Sequence, residues 1–171
     1  MRPDSLAVLF AAVIAIAPAA MAEDAPSLEQ VATDGVRMCM SMAEGRVPTE
    51  AATIFGFTPA AALFQHETAA GKVEVLPPDA TRRSCRVQVS ALTLDPGTVL
   101  DAVAAFITAS PHNFAPLQSR IAEAVGSYPA RVSIWASTDG TALGMVSLYE
   151  ILGNDYYLGP KVMIDYLIDR R

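Results

Sequence analysis

The chain has 171 residues, with 12 Lys and Arg against 18 Asp and Glu, a formal net charge of −6 at neutral pH, and 52% hydrophobic residues. That length makes one domain of ordinary size. The acidic balance argues against a phosphate-binding surface, so no nucleic-acid partner is expected.

In chain order, Arg2, an unbroken apolar stretch from Leu6 to Ala17, Pro18 and the small-x-small step Ala20-Met21-Ala22 have the layout of a secretory signal. Cleavage before Glu23 is expected, leaving residues 23–171 as a single domain that is periplasmic or secreted. The rival reading is an uncleaved anchor. Its apolar run, Leu6 to Ala22, is marginal against the roughly 20 residues a spanning helix wants. No later stretch is long and apolar enough, so no membrane span is expected after cleavage. Removal of the leader takes away one base, Arg2, and one acid, Asp4, and leaves the net charge unchanged.

Ser27 opens a capping-box pattern with Gln30 at the third helical position. Leu28, Val31, Ala32, Val36, Cys39, Met42 and Ala43 then recur at helical spacing, which predicts a helix over 28–44 ended by Gly45. Thr49 is the expected cap of a shorter turn through Phe55. Leu63–His66, Lys72–Leu76 and Ser84–Ser90 read as short strands, broken at Ala70-Gly71 and Pro77-Pro78-Asp79. Asp95-Pro96 is a cap followed by proline at the first helical position, with an apolar stripe through Ile107, so a second helix is expected over 96–109. Pro116 is expected to start a short helix with Leu117, Ile121 and Val125 on one side, closed by Gly126. A hairpin follows, 131–136 and 145–151 about Asp139-Gly140. Residues 162–168 carry both an alternating and a helical pattern. The strand is preferred, because the segment is short, β-branched and follows Gly159-Pro160.

The elements predict an α+β class: an antiparallel sheet with helices packed on one face. Helix followed by three strands occurs twice, at about 27–90 and 96–168. Two such halves, or one curved sheet, both fit the order.

Cys39 and Cys85 are the two cysteines. In an oxidising compartment an even count favours pairing, with two separate buried thiols as the alternative. Cys39 lies on the apolar helix face and Cys85 alternates with Val87 and Val89, so both point inward. A closed loop of about 46 residues would stabilise the fold by roughly 4 kcal/mol in the chain-entropy model.

Cys39 in an early helix, the Gly56-Phe57 step and the Cys85-Arg86-Val87-Gln88-Val89 strand resemble small exported proteins of unknown function from Gram-negative bacteria. The likeness touches about 50 residues. It implies an envelope location and a disulfide, and carries no activity and no site.

Met38-Cys39-Met40-Ser41-Met42 invites a soft-metal reading, monovalent copper above all. On a helix only Met38 and Met42 share a face, and methionine is an adaptable core filler. His66-Glu67 begins like a zinc-protease motif, but position 70 is Ala70. No metal site and no cofactor is therefore expected. No Gly-x-Ser-x-Gly elbow is present, and the catalytic residues of a hydrolase reading stay unknown beyond His112, whose imidazole sits in a loop with Asn113, where sites are commonly held. Trp135 is expected in the core. Tyr156 and Tyr157 lie in a turn that puts at least one ring outside, as in contact surfaces. The leading expectation is a non-enzymatic binding or interaction module. Its partner would be an envelope protein or a small ligand, bound through His112, Asn113, Tyr156 and Tyr157 on the loops 110–116 and 153–160.

Overall fold

A computed structural model describes residues 25–79, 83–91, 93–125, 128–137, 144–152 and 159–168. Helix α1, Leu28–Ala43, starts where the sequence places it: Ser27 Oγ accepts a hydrogen bond from Gln30 N at 3.2 Å. Only half of the capping box forms, because the Gln30 side chain turns to Asp34 instead. Gly45 follows at φ +100°, a left-handed conformation that costs glycine little. Helix α2, Pro48–Ile54, begins one residue before the expected cap. Val47 holds the cap position and Pro48 fills the first turn, where a missing N–H costs nothing. Helix α3, Pro96–Thr108, is capped by Asp95, whose Oδ1 accepts from Gly97 N at 3.0 Å.

The strands are β1 Thr58–Ala60, β2 Leu63–Glu67, β3 Lys72–Leu76, β4 Ser84–Ser90, β5 Phe114–Val125, β6 Tyr128–Ser137, β7 Gly144–Ile151 and β8 Val162–Ile168. They form one sheet in the order β1-β2-β3-β4-β8-β7-β6-β5, antiparallel throughout. The α+β class is thus as read. Each half contains four strands, not three. The segment 116–125, expected as a helix, is most of strand β5, paired with β6. The ambiguous segment 162–168 is a strand, and it joins the two halves by pairing with β4. The expected turn Asp139-Gly140, the residues 1–22 and the pair Tyr156-Tyr157 lie outside the described residues.

One face of the sheet carries Val73, Val75, Cys85, Val87, Val89, Val146, Leu148, Val162, Ile164 and Tyr166, all buried against α1 and α3. Alternation along each strand puts these side chains on a common side. Helix α1 lies close to this face. A Cβ on Gly35 would stand 3.0 Å from Val87 Cγ1 and 3.3 Å from Val75 Cγ2. Cys39 of α1 is bonded to Cys85 of β4, and both are fully buried. The opposite face is polar along β4, with Arg86 and Gln88. Towards β6 it bears a smaller apolar cluster of Ala130, Val132, Ile151 and Met163.

The two helices run parallel. Thr98 Oγ1 donates to Glu29 Oε1, the Arg37 guanidinium lies 4.9 Å from the Phe106 ring centroid, and His112 Nε2 stands 3.7 Å from Glu44 Oε1. The contacts climb both segments together. The strand halves, by contrast, run oppositely, since alternating antiparallel neighbours set β1 against β5 and β4 against β8. Helix α2 reconciles the two. It lies between α1 and β1, whereas α3 leads directly to β5.

Candidate functional site

His112 and Asn113 follow the C-terminus of α3. Asn113 has φ +48° and its N–H donates to Ser110 O at 3.0 Å. Asparagine tolerates the left-handed region, so this residue has a conformational role in the turn. The His112 ring, with 25% of its side chain exposed, stacks edge-on with Phe114 at 6.3 Å and faces Glu44, which is 65% exposed. Its backbone oxygen accepts from Ser137 Oγ at 2.9 Å, and Ser110 Oγ donates to Ile107 O at 2.8 Å. Both serine hydroxyls thus donate to main-chain carbonyls. The structure places His112 and Asn113 side by side at the end where α1 and α3 both stop.

Met38, Met40 and Met42 are all buried, and Cys39 is in the disulfide. Met40 is enclosed despite pointing away from the other two, because α1 is flanked by α2 and α3 as well as by the sheet. Among the described residues no three His, Cys, Asp or Glu side chains gather as a metal set. No helix among them is long and apolar enough to cross a membrane.

The feature that sequence reasoning missed lies on the outer hairpin. Pro116, Leu117, Gln118, Ser119, Ser133 and Trp135 line an open groove of about 280 Å³ at the β5–β6 margin. Pro116 pairs with Trp135 and Ser119 with Ser133, which puts these four on the side of the sheet that the helices cover elsewhere. The hydroxyls of Ser119 and Ser133 are 3.4 Å apart. Leu117 is 68% exposed, the largest exposure of any big apolar side chain among the described residues. It is the extra residue where the ladder slips between Pro116 and Gln118, and a bulge re-aims its side chain. Trp135 packs against the core, as expected, but is only half-buried. Its Nε1 is buried and has no hydrogen-bond partner.

The other half of the sheet offers a comparison. The row Trp135–Val146–Tyr166 runs from the outer strands to the central seam, and so does the row His66–Val73–Val89. His66 is covered by Phe57, edge-on at 5.7 Å, at the end of the α2 turn. No helix precedes β5 in the way α2 precedes β1, and the groove occupies the corresponding margin.

Of the electrostatic features, Arg86 forms two hydrogen bonds with Asp165 at 2.7 and 2.8 Å, and Asp165 raises the guanidinium above its ordinary value. The Glu29 carboxyl is held below its ordinary value, first by its own backbone N–H and then by Ser27. Both groups lie away from the groove and from His112.

No family model matches this chain, and no curated protein or solved structure matches it.

Proposed function

We propose that this chain is exported and acts in the cell envelope as a non-enzymatic binding module, holding an apolar segment of an envelope protein in the β5–β6 groove. Export is supported by the leader-like layout of residues 1–22 and by a fully buried disulfide, which persists in oxidising compartments. The observation that carries the binding reading is Trp135. Leaving an indole N–H buried without an acceptor costs about 1–3 kcal/mol, and such groups collect at functional sites. A carbonyl of a bound segment would recover that cost once the half-buried indole turns on binding and brings Nε1 out of its enclosure, while Leu117 and Pro116 offer apolar contact. Tryptophan gives a large rigid surface and a donor at once, which is why it is enriched in recognition surfaces. The groove lacks the concave depth that encloses a small-molecule ligand, which favours a protein segment as occupant.

Two measurements test the reading. Intact mass of the native protein is expected to give a chain starting at Glu23 with Cys39 and Cys85 oxidised. Full-length material with free thiols would overturn export. Site-specific photocrosslinking in cells from position 117 is expected to give a discrete protein adduct that a probe at exposed Val47 does not give. Identical or empty patterns at the two positions would overturn the groove as the binding surface.

A further inference from the structure

We draw no further inference here: the strongest candidate, the buried apolar cluster of Ala130, Val132, Ile151 and Met163 on the sheet face away from the helices, carries nothing because nothing in the structure shows what covers it.

Discussion

Arg86 and Asp165 face each other in register across the β4–β8 seam, joined by two parallel hydrogen bonds of 2.7 and 2.8 Å. This is the forked geometry that makes guanidinium–carboxylate pairs the strong ones. Among the described residues the seam is the only ladder that connects the two four-stranded halves. Removing one partner leaves the other charge partly buried and unpaired. Asp165→Ala is therefore expected to cost about 1–3 kcal/mol, between the exposed and the buried limits. The double change Arg86→Met with Asp165→Leu is expected to recover most of that loss, since two apolar groups leave nothing unpaired. Urea unfolding of the two singles and the double checks it. Additive losses would show that the pair is not coupled.

The Cys39–Cys85 bond ties the fourth turn of α1 to the strand at that seam. It closes a loop of 46 residues that holds α2 and β1 to β3. Replacing both cysteines with alanine is expected to lower stability by about 2–5 kcal/mol, through a less constrained unfolded chain and two lost core side chains. A smaller drop, from the freed chain alone, is expected on adding reductant to unfolding experiments with the native protein, which keeps both core side chains. An unchanged denaturant midpoint in both would show that the bond does not hold the fold.

Gly35 lets α1 approach the sheet, because Val87 and Val75 occupy the space a side chain would need. Alanine usually improves a helix interior by about 1 kcal/mol over glycine. Here the added carbon must push two valines that are themselves fully buried. Overpacking of this kind costs about 1–3 kcal/mol, so Gly35→Ala is expected to be net destabilising. A raised melting temperature would show that the helix can lift without loss.

Much of this architecture is legible in the residues, and the misses have physical causes. Helix α1 is marked at both ends by Ser27 and Gly45, and β4 by clean alternation of Cys85, Val87 and Val89. Strand β5 was hidden by its own irregularities. The ladder slips between Pro116 and Gln118 and again between Ala122 and Val125. Leu117, Ile121 and Val125 stand four apart, a spacing that one face of a helix and one face of a strand share, and the slips break the alternation that would have told them apart. Pro116 reads as a helix start, yet it suits an edge strand, where its missing N–H leaves no gap in a second ladder. Strand β1 is too short for any pattern. His112 and Asn113 were visible as a polar loop. The groove was not, because its lining depends on pairing Pro116 with Trp135 across a hairpin that the sequence did not suggest.

Acid is expected to weaken the N-terminus of α1. Glu29 has a depressed pKa, through its own backbone N–H first and then Ser27; burial opposes these, and the Thr98 hydroxyl adds the smallest lowering effect. A carboxylate held below its unfolded value contributes stability that is fully present above that unfolded value. The contribution fades as pH falls through the folded one. Unfolding midpoints of Glu29→Gln and the native protein, compared from about pH 7 down to about pH 3, are expected to converge at the acid end. A constant gap across that range would remove Glu29 as a source of the slope.

Trp135 separates a cost in stability from a gain in binding. It is the single tryptophan of the chain, so its fluorescence reports on the groove alone. Trp135→Phe removes the unpartnered Nε1 and keeps an aromatic ring against the core. Losing an unsatisfied buried donor offsets the smaller packed area, so the variant is expected to unfold within about 1 kcal/mol of the native protein. If the groove holds a partner carbonyl, the same change is expected to weaken capture by the partner crosslinked from position 117, by roughly tenfold. Leu117→Ser supplies the control. Its exposed side chain contributes little to the fold, so it is expected to weaken capture with no change in stability. Full retention of binding in both variants would leave Trp135 as a packing residue and move the search to the loop of His112 and Asn113.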